Sequence, residues 1–203
     1  AGGKIVPVPT YAEDDFDLRP EEVEARLTPR SKILLLVTPG NPTAGVISPA
    51  NIRRLAEIAQ ERNLLVIADE IYERFVYDDT QHLSIAALPG MKERTITLNG
   101  VSKAYAMTGW RVGYVAAAAP WIEGMRQLKM MGSRATSAIS QWAAHAALSG
   151  PQDCIDEFRR IYDERRRAMM AGLDSMGFVY GRPRGAFYVF PNASSVGLPA
   201  EAL

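Results

Sequence analysis

The sequence predicts an α/β fold built on a mostly parallel sheet, followed by the start of a smaller α+β unit, and three observations lead there. Ile33-Leu34-Leu35-Leu36-Val37 and Leu64-Leu65-Val66-Ile67-Ala68 are short, continuous apolar runs, the pattern of strands buried on both faces of a parallel sheet. The stretch between them has helical periodicity, so strand, helix and strand follow one another as a crossover unit. Beyond residue 150 the pattern changes to one long helix and then two short aromatic runs.

Taken in order, Ser48 can cap the first crossover helix and Pro49 suits its first turn, while Ile52, Leu55, Ala56, Ile58 and Ala59 form an inward stripe before Asn63. Thr95-Ile96-Thr97-Leu98 and Val112-Gly113-Tyr114-Val115-Ala116 read as a third and a fourth strand. Helical patterns follow from Trp121 to Met131 and from about Ala135 to Leu148, closed by Gly150-Pro151. In the longer helix Ile155, Phe158, Tyr162, Met169, Leu173 and Met176 recur at helical spacing up to Gly177, which makes the methionines expected core filler. Phe178-Val179-Tyr180 and Ala186-Phe187-Tyr188-Val189-Phe190 read as the two strands of the smaller unit.

Bulk properties bound the function. The 203 residues are 47% hydrophobic, and 23 basic side chains balance 23 acidic ones. No basic stripe interleaved with aromatics appears, so no nucleic-acid partner is expected. Arg165-Arg166-Arg167 reads as a solvated helix face beside Asp163 and Glu164. The single cysteine, Cys154, reads as a half-buried helix residue, rules out an internal disulfide and fits a reducing compartment, so a cytoplasmic location is expected. No apolar run reaches membrane-spanning length, so no membrane partner is expected. The first residues, Ala1-Gly2-Gly3, and the last, Glu201-Ala202-Leu203, read as cuts in a longer chain.

The polar residues of interest fall just after strands: Asn41 after the first, Asp69 at the end of the second, Lys103 beyond the third. Ligands of open α/β sheets bind at the carboxyl edge of the strands, so these residues converge on one crevice. Lys103 stands eight residues before Arg111 in the glycine-punctuated segment Ser102 to Tyr114. A lysine that acts as a nucleophile must spend time as the free amine, which burial beside another cation favours. Arg111 offers a planar fork suited to a phosphate. That combination reads as a covalent cofactor site.

Three motifs, Thr38-Pro39-Gly40-Asn41-Pro42-Thr43, Ala68-Asp69-Glu70-Ile71-Tyr72 and Asn99 to Arg111 around Lys103, resemble those of the class I/II aminotransferases, the pyridoxal 5'-phosphate enzymes of fold type I. The resemblance extends over essentially the whole chain, and the lysine segment is most similar to the bacterial aspartate aminotransferase branch. It implies a three-layer large domain, with residues 1–150 its later part, and an interdomain helix and truncated small domain over residues 151–203. The upstream phosphate loop and stacking aromatic residue, and the downstream arginine for the substrate carboxylate, would lie outside this sequence.

The resemblance also implies roles. Lys103 would form the internal aldimine and then move a proton between the substrate α-carbon and the cofactor, acting as nucleophile and general acid/base. Asp69, expected as a buried carboxylate in need of a partner, would pair with the pyridinium nitrogen. Tyr72 and Asn41 would donate to the ring oxygen. Ser102 and Arg111 would serve the phosphate.

Two departures stand out. Asn41-Pro42-Thr43-Ala44-Gly45 moves the usual glycine by one place, and Gly100 occupies a position where many members place a phosphate-binding serine. His82 and His145 match no motif, and Trp110 is expected to pack.

The resulting expectation is a transaminase moving an amino group from an L-amino acid, aspartate or similar, to a 2-oxo acid through pyridoxamine phosphate, homodimeric in its complete form. Two alternatives stay open on the sequence: a pyridoxal-phosphate carbon-sulfur lyase, and an aminotransferase-like ligand-sensing domain of a transcription regulator.

Overall fold

The computed structural model describes residues 2–197, and the last six residues of the expected second unit lie outside them. Four strands form one sheet in sequence order: β1 (Ile33–Val37), β2 (Leu65–Asp69), β3 (Thr95–Gly100) and β4 (Gly113–Ala116). The first three are parallel, with Leu35 opposite Ile67 and Ile67 opposite Ile96, and β4 runs antiparallel along β3. The fold class is therefore as expected. A short helix, α1 (Pro20–Glu24), precedes β1.

Helix α2 (Pro49–Glu61) crosses from β1 to β2 and starts where the sequence places it: Ser48 Oγ accepts the Asn51 amide at 3.3 Å, with Pro49 in the first turn. Its expected stripe, Ile52, Leu55, Ala56, Ile58 and Ala59, is buried against Leu34, Leu36, Val66 and Ala68. Burial of each such large apolar side chain contributes about 1.5–3 kcal/mol, which anchors β1 and β2 under their polar C-terminal ends.

The sheet departs from the expectation of strands covered on both sides. Burial alternates along β1, and Leu35 is 63% exposed. Helix α2 covers one face, whereas the face bearing Ile33, Leu35 and Val37 has little cover among the described residues. The same holds for α3 (Ala119–Gly132) and α4 (Ala138–Ser149), where Leu128, Met131, Ile139 and Trp142 are exposed.

Helix α5 (Asp153–Ser175) opens with Asp153 and Asp156 in its first turn, a favourable place for negative charge, and ends at Gly177 with φ +76°. Ile155 and Leu173 are buried as expected, but Met169 and Met176 are exposed, so the methionines are not core filler. Cys154 and Trp110 are likewise exposed rather than packed.

Arg166 reverses another expectation. It is buried, donating to Asp163 Oδ1 at 2.8 Å, to Asp78 Oδ1 at 2.9 Å and to the Pro183 carbonyl at 3.0 Å. Its guanidinium also lies 4.8 Å from the centre of the Tyr77 ring. Arg182 grips the other oxygen of Asp78 at 2.9 Å, so one carboxylate joins the segment after β2, α5 and the chain beyond it.

Burial opposes ionisation of Asp78, but hydrogen bonds and charges from Arg166 and Arg182 outweigh it and hold the carboxyl below its ordinary value. A carboxyl depressed in the folded state contributes stability above its unfolded pKa, near 3.9, and that contribution is lost as pH falls through the folded value. Urea midpoints followed downwards from neutral pH should therefore drop below about pH 4. Asp78→Asn should remove this component and cost about 2 kcal/mol at neutral pH, because Asp163 still pairs with Arg166.

Near the end of the described residues, β5 (Val179–Tyr180) pairs antiparallel with β6 (Pro191–Asn192). The expected strand over 186–190 does not form. Ala186 takes a left-handed φ of +55°, its amide donates to the Phe75 carbonyl at 2.9 Å, and Arg184 and Gly185 both donate to the Ala44 carbonyl. Long-range backbone bonds have replaced a local ladder, and they bring Phe187 and Tyr188 back to the edge of the large sheet.

Candidate active site

Lys103, Asp69 and Tyr72 come together at the carboxyl edge of β2 and β3. The register sets this up: Asp69 is opposite Val37 on β1 and Leu98 on β3, and the chain leaving β3 turns back immediately to carry Ser102 and Lys103. Gly100 permits that turn. A Cβ there would lie 2.9 Å from the Val112 carbonyl oxygen and 3.1 Å from the Gly113 Cα, so β4 passes too close for the serine expected in many relatives.

Lys103 is half-buried between two aromatic faces. Its Nζ lies 5.7 Å from the centre of the Tyr72 ring and 5.6 Å from that of Phe187, within cation–π range, and both rings exclude water from the amine. Tyr72 and Phe187 meet edge to face at 5.1 Å, and Phe187 stacks on Tyr162 of α5 at 5.1 Å. This aromatic cluster, with Phe75 and Tyr188, fixes the floor of the site.

Asp69 is half-buried rather than buried, and it is not unpartnered: Oδ1 accepts the Ile71 amide at 3.2 Å. The carboxylate therefore pins the turn that carries Tyr72 and keeps its second oxygen for another donor. The hydroxyl of Tyr72 contacts that of Tyr188. Burial, the Tyr188 hydrogen bond and the negative charge of Asp69, in that order, raise the pKa of Tyr72, so it is a protonated donor at neutral pH.

The remaining candidates lie around this centre. Ser102 is half-buried and Arg111 exposed, and Thr108 links them: its hydroxyl donates to the Ser102 carbonyl at 3.2 Å while Arg111 Nη1 donates to the Thr108 carbonyl at 3.0 Å. Asn41 is exposed on a turn closed by the Gly40 amide donating to the Gly45 carbonyl at 2.8 Å.

In this turn the left-handed residue is Ala44, with φ +60°, and not the displaced glycine. Gly45 serves a close approach instead, because a Cβ would lie 2.8 Å from Phe16 Cβ and from its carbonyl oxygen. Gly45→Ala should accordingly destabilise by about 2–3 kcal/mol through overpacking. For Ala44→Gly, relief of about 1 kcal/mol of backbone strain is offset by the lost methyl burial and greater chain entropy, so a change under about 1 kcal/mol should follow. Urea denaturation of both variants checks the pair.

Sequence reasoning missed Phe187 and Tyr188 as site residues. Their aromatic run was visible, but read as a strand it gave no reason to bring them to Lys103.

The residues fit a pyridoxal phosphate: an amine held between rings, a carboxylate with a spare oxygen at a strand end, a protonated phenol on the turn that carboxylate pins, and a guanidinium linked through Thr108 to the segment that carries the lysine. Among the described residues, no helix is long and apolar enough to cross a membrane.

Comparison with known proteins finds relatives along the whole chain. The model of the family described as aminotransferase class I and II matches residues 1–201. An aspartate aminotransferase of Pyrococcus abyssi is 43% identical over 203 residues, covering 99% of this chain and 52% of the relative. An aromatic-amino-acid aminotransferase of Thermococcus litoralis is 42% identical with the same coverage.

Among solved structures, the aromatic aminotransferase from Pyrococcus horikoshii superposes with a TM-score of 0.95 at 42% identity, over 99% of this chain and 54% of that one. The Thermus thermophilus aspartate aminotransferase with maleate gives 0.89 at 36% identity, over 95% and 50%. The chain spans about half the length of the curated relatives it matches.

Proposed function

The chain belongs to the aminotransferase class I and II family, and from that membership we propose that it carries the lysine-centred part of a pyridoxal-phosphate-dependent transaminase. The reaction moves an amino group from an L-amino acid, aspartate or similar, to a 2-oxo acid. The observation that carries this reading is Lys103 held between Tyr72 and Phe187 beside the turn pinned by Asp69.

The cofactor, when bound, supplies an electron sink for the bond broken at the substrate α-carbon. Everything else falls to side chains of the protein. Lys103 Nζ would hold the cofactor as its nucleophile and would carry a proton to and from the substrate α-carbon. The spare oxygen of Asp69 would face the ring nitrogen, where its negative charge would oppose loss of that nitrogen's proton.

Tyr72 would donate its hydroxyl to the cofactor's ring oxygen, with Asn41 as a second donor, and the raised pKa of Tyr72 keeps that donor protonated. Arg111 and Ser102 would bind the phosphate, Arg111 through its guanidinium charge. Tyr72 and Phe187 shield the amine from water.

We assign residues 1–150 to the large domain, the remainder to the interdomain helix and the start of the small domain, and the assembled enzyme to a cytoplasmic homodimer. Aspartate and the aromatic amino acids named for the relatives are the first donors to assay.

Incubation with pyridoxal phosphate, borohydride reduction and peptide mass spectrometry test the site. The expected result is a single pyridoxyl label on Lys103. Labelling spread over surface lysines would remove Lys103 from the centre of the proposal.

A further inference from the structure

A second cluster of ionisable groups lies outside the site just described. Glu70, next to Asp69, is buried, with a side chain only 3% exposed. Its Oε1 accepts the Ser84 hydroxyl at 2.8 Å, and its Oε2 lies 3.4 Å from His82 Nε2. The His82 side chain is 10% exposed, and neither of its ring nitrogens has a hydrogen-bond partner although both are buried.

That arrangement needs a reason. An imidazole has a donor or acceptor at each nitrogen in any protonation state, and leaving such groups buried and unpaired is unfavourable. The contact with Glu70 is close but out of hydrogen-bond alignment. Glu73, half-buried one turn further on, brings a second carboxylate, and ligand atoms of the three residues all lie within 4.8 Å of one another.

We propose that Glu70, Glu73 and His82 bind a divalent transition cation of the Zn2+ type. Two ligands at about 2.0–2.1 Å from a tetrahedral zinc stand roughly 3.3–3.4 Å apart, the separation found between Glu70 Oε2 and His82 Nε2. Glu73 has to draw in by no more than about 1.5 Å, within reach of a side-chain rotation.

One imidazole nitrogen and two carboxylates, with water in a fourth position, suit zinc. Mg2+ and Ca2+ favour all-oxygen sites with six or more ligands. Ser84 orients Glu70 from behind, the usual task of an outer partner. The Glu73 amide donates to the Glu70 carbonyl at 2.9 Å, so both carboxylates flank the turn that presents Tyr72, and the cation would staple that turn. This inference does not rest on the proposed transaminase reaction.

Calorimetric titration of ZnCl2 into the protein, in a non-chelating buffer, tests it. The expected result is one saturable site at micromolar concentration, with a dose-dependent rise in the thermal midpoint. His82→Ala should abolish binding, and Glu73→Gln and Ser84→Ala should each weaken it about tenfold or more. Binding should persist when His145→Ala and Cys154→Ser remove other potential zinc ligands, and Mg2+ should not compete. Absence of saturable binding, or binding unchanged in His82→Ala, overturns the proposal. Should His82→Ala fail to fold, the half-exposed Glu73 decides, and unchanged affinity in Glu73→Gln overturns it equally.

Discussion

In the complete protein, Lys103→Ala should abolish both the pyridoxyl label and the proposed turnover, the largest effect expected of any single substitution. The variant loses the nucleophile and also the group that moves the proton at the α-carbon, and general acid/base action alone is typically worth about 10²–10⁴ in rate. Stability should change far less. The lysine meets two rings at 5.6 and 5.7 Å, and an attraction of that kind contributes about 1 kcal/mol, a few degrees in the thermal midpoint of a chain this size.

Lys103→Arg separates charge from nucleophilicity, since a guanidinium keeps its cation between the rings but never supplies a free amine. It should be as inactive as the alanine variant while retaining the wild-type midpoint. Measurable turnover in Lys103→Arg would show that the lysine acts only as a charge, and the proposed mechanism would fail.

How much of this was legible in the sequence depended on whether the determining contact was local. Helix α2 was readable from its cap to its stripe because capping and periodicity act within a few residues. Asn41, Asp69 and Lys103 could be singled out because each follows a strand of one parallel sheet, whereas the roles of Tyr72, Ser102 and Arg111 were carried by the family resemblance.

Arg166 was misread because what buries it, Asp78, lies 88 residues earlier in the chain. One signal was present. Arg166 falls four residues after Tyr162 and seven before Leu173, on the inward stripe of α5, whereas Arg165 and Arg167 fall beside it. The strand expected over 186–190 failed for a similar reason, since the Phe75 carbonyl took the Ala186 amide and the Ala44 carbonyl tied down the two residues before it.

The neighbouring acids divided differently from expectation. Asp69 lies on the same side of the sheet as Leu35 and Ile67, the less covered face, which leaves it half-buried and accessible to a ligand. Glu70, one residue on, is the buried carboxylate. A terminal Asp-Glu pair names no winner until the register is known.

That position makes Asp69 the second large effect. Asp69→Asn is the informative change, because its amide oxygen can still accept the Ile71 amide and hold the Tyr72 turn while the negative charge is gone. Weaker cofactor retention and a rate loss of about a thousandfold, roughly 4 kcal/mol, should follow from losing the charge that holds the ring-nitrogen proton.

Asp69→Ala removes the turn contact as well, so it should add about 1 kcal/mol of lost stability to the same rate defect. Wild-type turnover in Asp69→Asn would exclude its charge from the reaction and leave it only the role of pinning the turn.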